Sequence, residues 1–182
     1  GEENFPILKT IWGTDYLKPE KAKEALQEVE FLKSKINEME GVFLIDKAAK
    51  EEYWAVFEDE EDWFYSHGRE FNYKLSNKGF FITDSEDKEL FLSRNFIQDV
   101  TMIRNLNKVQ YKVIFKDIQE GKTYESVKPI DKCINWEKNE FYFPKELEVI
   151  KRKLEVKDFY SLEILTRLFE ASCETGNSVV WT

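Results

Sequence analysis

One histidine, two cysteines and seven scattered glycines leave this chain of 182 residues with few of the groups that mark an enzyme. A hydrolase built on His67 needs a nucleophile and an orienting acid beside it. Cys133 and Cys173 lie in no activating context, so His67 reads as an ordinary residue of the turn Ser66-His67-Gly68-Arg69. Single glycines argue against the Gly-rich turns that cradle phosphates in P-loop and dinucleotide-binding folds. The cysteines lack metal-ligand spacing. Cys173 falls on the apolar side of a helical pattern. Two free thiols, with Cys173 buried, are therefore expected rather than a disulfide, which suits a reducing, cytoplasmic setting. No apolar run approaches the roughly 18 residues of a membrane span, and no signal-peptide pattern is present. The chain begins Gly1-Glu2-Glu3 rather than with Met, which leaves an upstream segment open. Four prolines and seven glycines are too few for a low-complexity linker, and no internal repeat is seen. One domain over residues 1–182 is expected.

Excess positive charge is also missing. The net charge is -9, which repels nucleic acid unless a local basic patch dominates. The basic cluster Lys151-Arg152-Lys153, with Lys145 and Lys157, is interleaved with Glu146, Glu148 and Glu155, and reads as a solvated helix face. An acidic surface instead speeds encounter with a basic protein.

Aromatic side chains are plentiful, at 15 Phe, 8 Tyr and 5 Trp, enough to fill a core and leave an exposed patch. The run Glu58-Asp59-Glu60-Glu61-Asp62 lies between Val56-Phe57 and Trp63-Phe64-Tyr65. Each ionised carboxylate raises the cost of ionising the next, so such a run resists burial. It is a solvated turn or a surface for a basic partner. Together with Glu51-Glu52 it could collect calcium, but the spaced Asp/Asn-Gly ligand loop is absent and no metal or other cofactor is expected. Trp54, Trp63, Phe64 and Tyr65 read either as core or as the aromatic rim of a protein-binding face. The candidate partner-binding residues are thus Trp54, Glu58, Asp59, Glu60, Glu61, Asp62, Trp63 and Tyr65.

The periodicities outline the elements. Asn4 to Trp12 is an edge strand or one helical turn, and Gly13-Thr14-Asp15 turns the chain. Pro19 to Met39 is the clearest helix, with Pro19 suited to its first position. Ala22, Ala25, Leu26, Val29, Leu32, Ile36 and Met39 follow its three-four spacing. Gly41 is expected to end it with a positive φ. Strands are expected over Val42 to Ile45, Glu51 to Phe57, Trp63 to Tyr65 and Glu70 to Leu75. Phe80-Phe81-Ile82 and Leu90-Phe91-Leu92 flank a polar loop as a hairpin. Asn95 to Leu106 fits helix or strand. Val109, Tyr111, Val113 and Phe115 alternate as a strand, and Lys122 to Val127 follows a turn at Gln119-Glu120-Gly121. Cys133 to Trp136 and Glu140 to Phe143 suggest another hairpin. Pro144 to Leu154 reads as a short helix. Asp158 is the expected N-cap of the last helix, whose buried face is marked by Leu162, Leu165, Leu168, Phe169 and Cys173. Gly176 ends that helix, and Val179-Val180-Trp181 is a final strand that should be paired. The pattern is α+β: a mostly antiparallel sheet packed against an N-terminal and a C-terminal helix.

Asn4-Phe5-Pro6-Ile7-Leu8-Lys9-Thr10-Ile11-Trp12-Gly13, then Tyr16-Leu17-Lys18-Pro19-Glu20-Lys21-Ala22 and Ala25-Leu26-Gln27-Glu28-Val29-Glu30, resembles bacterial immunity proteins linked to polymorphic toxins. The closing stretch Leu162 to Trp181 is similar too; Val42 to Phe143 carries no such likeness. The resemblance implies a small cytoplasmic inhibitor that blocks one cognate toxin, with no catalytic residues to transfer. The leading expectation is therefore a non-enzymatic inhibitor of a basic protein partner, with no nucleic acid or membrane involved. Its rivals are a phage-type anti-defence protein whose acidic surface imitates nucleic acid, and a hydrolase using paired carboxylates across a cleft.

Overall fold

The computed structural model describes residues 6–11, 16–57, 62–67, 70–105 and 108–180. The described chain opens with helix α1 (Pro6–Ile11), strand β1 (Tyr16–Leu17) and helix α2 (Pro19–Ile36). Strands β2 (Glu40–Asp46), β3 (Glu52–Phe57), β4 (Asp62–His67), β5 (Phe71–Ser76), β6 (Gly79–Thr83) and β7 (Glu89–Ser93) follow. Next come β8 (Asn95–Asn105), β9 (Lys108–Asp117), β10 (Thr123–Ser126), β11 (Lys132–Asn135), β12 (Glu140–Tyr142) and β13 (Glu146–Lys153). Helix α3 (Tyr160–Thr175) and strand β14 (Val179–Val180) come last. The class is α+β with antiparallel sheets, as the sequence pattern implies. Two compact units result: residues 40–152, and the ends 1–39 and 153–182 together. The strand-rich unit is thus inserted between the two halves of the helical one.

In the strand-rich unit one sheet runs β10-β9-β8-β13-β2-β3, and a four-stranded meander runs β4-β5-β6-β7. The ambiguous stretch after Asn95 is strand because it pairs along its whole length with β9, from Phe96↔Asp117 to Asn105↔Lys108. Arg94 alone separates β7 from β8, so the chain passes there from one sheet to the other. That crossing requires Gly79: its φ is +147°, and a Cβ would lie 2.7 Å from the Ser93 carbonyl oxygen. Both sheets contribute to one core. Phe80 of β6 stacks on Phe96 of β8 with centroids 4.7 Å apart, and Tyr73 of β5 meets Phe115 of β9 edge-on at 5.6 Å.

Polar pins fix the irregular parts. Gln98 is buried, and its amide donates to the carbonyls of Ile130 (3.0 Å) and Pro144 (2.9 Å) while accepting from the Ile130 amide (2.7 Å). It clamps segment 127–131 and the entry to β13 onto β8. At the β9–β10 turn, burial opposes the charge of Asp117. Ser93 Oγ at 2.5 Å, the amides of Glu120 and Gln119, and the Lys122 ammonium outweigh it and hold the carboxyl below its usual range.

Several local expectations are corrected. Pro144 to Leu154 is not a helix but contains β13: Leu147 and Val149 are buried at alternate positions, the period of a strand. Two members of its basic cluster form cross-strand pairs. Lys151 meets Glu40 at 2.9 Å and Arg152 meets Glu52 at 2.5 Å, with the guanidinium 3.8 Å from the Phe43 ring. Gly41 does not end α2; it lies inside β2, opposite Phe57, and a turn at Asn37-Glu38 ends the helix. Asp158 is not the cap of α3. It accepts from the Glu155 amide within a 3₁₀ turn at Val156–Asp158, and Phe159 takes the cap position.

In the helical unit α2 buries Ala22, Ala25, Val29 and Ile36, and packs against α3. The Glu28 carboxylate accepts from the amides of Ile7 (3.0 Å) and Leu8 (2.9 Å), so α2 caps the start of α1. β14 is paired, as expected, with β1: Leu17↔Val179 and Tyr16↔Val180. Gly176 ends α3 at φ +70°. The buried stripe of α3 is Leu162, Thr166, Phe169 and Ser172, so Cys173 is exposed rather than buried. The stripe follows the small polar residues Thr166 and Ser172, one helical step off the apolar ones; both hydroxyls bond to backbone carbonyls, of Leu162 and Asn177. Among the described residues no helix is long and apolar enough to cross a membrane.

Two outcomes follow from this packing. Gln98→Leu should lower the unfolding free energy by about 3 kcal/mol, because it leaves buried backbone groups of Ile130 and Pro144 unpaired. Urea denaturation with an unchanged slope would confirm this, and a loss under about 0.5 kcal/mol would contradict it. Both cysteines are free thiols. A thiol reagent should therefore label exposed Cys173 in the native protein ahead of half-buried Cys133, and count both after denaturation without reductant.

Candidate functional site

The proposed binding face is partly within the described residues. Glu58, Asp59, Glu60 and Glu61 lie outside them. Asp62 and Trp63 are placed in the backbone of β4, opposite Leu75 and Lys74. Trp54 is 36% exposed and Tyr65 is half-buried.

Trp54 and Tyr65 are brought together. Both line a cavity of about 280 Å³ with Tyr53, Tyr73, Lys128 and Asp131. The acidic run joins β3 to β4, and these are edge strands of the two sheets. Each edge carries a bulge beside the cavity. In β3 the pairing steps from Leu44↔Trp54 to Ile45↔Glu52, so Tyr53 is the extra residue. In β4 it steps from Trp63↔Lys74 to Tyr65↔Tyr73, so Phe64 is the extra residue. A bulge re-aims the side chains of its strand. Here Tyr53 and Trp54, which alternation would send to opposite faces, line the same cavity.

The back of the cavity comes from the core and from segment 127–131. Tyr73 is buried; its hydroxyl lies 2.5 Å from Ser126 Oγ and donates to the Lys128 carbonyl at 2.7 Å. Its ring is 5.4 Å from that of Tyr65. The Lys128 ammonium stands 5.6 Å from the Tyr65 ring centroid and pairs with Asp131 at 2.7 Å. The chain's own lysine thus shows the position a cation takes over this aromatic wall. The Tyr53 hydroxyl is buried and has no hydrogen-bond partner among the described residues.

The electrostatics suit recognition more than acid–base chemistry. Burial pushes the Tyr53 phenol well above its ordinary range, and Asp46, Glu51, Tyr142 and Asp131 add to the rise. Burial also pushes the Tyr73 phenol far up, with only partial relief from the Ser126 hydrogen bond. Neither supplies a base at neutral pH. Two-carboxylate hydrolysis needs two acids facing across a cleft. The cavity presents Asp131, already paired with Lys128. Among the described residues no group of His, Cys, Asp and Glu is placed to hold a metal ion.

Tyr53, Tyr73, Lys128 and Asp131 escaped the sequence reading. The first two sit in strand patterns that read as packing. Lys128 and Asp131 belong to an irregular segment held by the distant Tyr73 and Gln98, with no local period of its own. Comparison with protein families, curated proteins and solved structures finds no match to this chain.

The tyrosines give an alkaline signature. A phenol whose folded pKa is raised contributes stability that is complete below the unfolded value, about 10. That stability is lost as pH rises toward the folded value. Wild type should therefore lose urea resistance steadily as pH rises above about 10. Tyr73→Phe should start about 1–2 kcal/mol less stable at pH 7, having lost the Ser126 and Lys128 bonds, and should fall less over that alkaline range. Parallel alkaline curves for the two proteins would disprove the assignment.

Proposed function

We propose that this chain is a non-enzymatic, protein-binding inhibitor of the immunity-protein kind, acting in the cytoplasm on a basic toxin domain. The observation that carries the reading is the convergence of Trp54 and Tyr65 on one cavity, at the two edge strands that the acidic run joins. Carboxylates on that connection would steer a cationic partner. The aromatic cavity, where Lys128 already lies over Tyr65, would anchor one of the partner's Lys or Arg side chains. The net charge of -9 and the likeness of the two chain ends to immunity proteins point the same way.

Steering and anchoring separate kinetically. Replacing Glu58, Asp59, Glu60, Glu61 and Asp62 by Ser and Asn should slow association about tenfold at low salt, with little effect near 0.5 M salt. Trp54→Ala should instead speed dissociation, at a cost of about 2 kcal/mol in affinity. Surface plasmon resonance with the basic protein retained from the source organism would read both, and co-expression would show whether its toxicity is abolished. A retained protein that stays fully toxic, or binding indifferent to both sets of substitutions, would sink this reading.

A further inference from the structure

We propose that the open edge of β9 is a second protein-binding site, which takes as an added strand an extended segment of alternating apolar and acidic side chains. The parity of β9 is set at its end. The Asp117 amide donates to the Lys122 carbonyl at 2.9 Å on the β10 side, and the Ile118 amide to the Asn95 carbonyl at 3.0 Å on the β8 side. Backbone groups of an antiparallel strand alternate in direction. Odd-numbered residues of β9 therefore face β10, and even-numbered ones face β8. β10 covers β9 only from Lys116 to Val113. Beyond that point Tyr111 and Val109 turn their N–H and C=O groups to a side where no described strand lies, while β8 holds Gln110 and Lys112.

The edge is open for a structural reason. Tyr73 hooks Ser126 Oγ and the Lys128 carbonyl and draws the chain off the sheet after Ser126. The vacated line is a concavity of about 620 Å³ bordered by Ile103, Val109, Tyr111, Lys112, Glu125 and Val127. Val109 is 49% exposed and Val127 53%, so apolar surface lies beside the free backbone groups.

β10 shows what this edge accepts. Tyr124 stands opposite Phe115 on the core side, and Glu125, on the other side, pairs with Lys112 at 2.9 Å. A strand continuing the line of β10 would set one row of side chains beside Tyr111 and Val109 and the other on the face of Lys112. Apolar residues suit the first row and carboxylates the second. The site does not depend on the acidic run.

The test is a titration of the isotope-labelled full chain with the peptide acetyl-Glu-Val-Glu-Tyr-Glu-Val-amide, followed by amide resonances and hydrogen exchange. Saturable shifts are expected at Val109 and Tyr111, with exchange of both amides slowed about tenfold as they gain partners. Val109→Pro removes an N–H that the β8 ladder does not use. It should leave the unfolding midpoint in place and weaken the peptide about tenfold. Lys112→Glu should weaken this peptide and favour its counterpart with Lys for Glu. Absence of shifts at millimolar peptide, shifts confined to other strands, or equal affinity for both peptides in wild type would overturn the proposal. So would a concentration-dependent dimer that protects the same amides without peptide.

Discussion

Two surface features of this protein depend on one hydroxyl. Tyr73 lies in β5 with its ring among Phe80 and Phe115, and its oxygen reaches Ser126 Oγ and the Lys128 carbonyl. Those bonds are made at a buried site, where an unpaired phenol would cost most and a satisfied one is strongest. They pull the chain off the six-stranded sheet at the end of β10. On one side this leaves the end of β9 with no described strand beside it; on the other, residues 128–131 line the cavity with Tyr53, Trp54 and Tyr65. The aromatic cavity and the open strand edge are two consequences of the same departure.

Segment 127–131 is held from both directions. Tyr73 fixes its start, and Gln98 fixes Ile130 through both its amide N–H and its carbonyl. Lys128 and Asp131 thus project from an irregular stretch whose neighbouring backbone is pinned to two different strands. A site so supported loses less side-chain and loop freedom when a ligand arrives than one on an untethered loop. The bulges in β3 and β4 act in the same sense, bringing Tyr53, Trp54 and Tyr65 to one place.

Elements with a strong local period were legible in the sequence. The alternation of Val109 to Phe115, the hairpin between Phe80 and Leu92 and the glycine after α3 all appear where expected. β13 is hard to read locally because a short run of charged residues with three apolar ones, Leu147, Val149 and Ile150, fits either period; β8, which it joins at Ile97 to Asn95, decides the matter. Cys173 lies off the buried side because the α3 stripe takes in the small polar residues Thr166 and Ser172. Of the candidate site, Trp54 and Tyr65 could be named in advance, but their meeting could not.

By itself the sequence determined the α+β class, the antiparallel hairpins, the acidic balance and the scarcity of catalytic side chains, because these follow from composition and from periods of two and three-four residues. Tertiary structure alone decided where β10 ends, which residue of each edge strand bulges, and which tyrosines share a cavity. Those features arise from hydrogen bonds between residues as distant in sequence as Tyr73 and Lys128, or Gln98 and Pro144. No local pattern encodes such a bond; it exists only once packing has brought both partners out of water and made leaving them unpaired the costlier state.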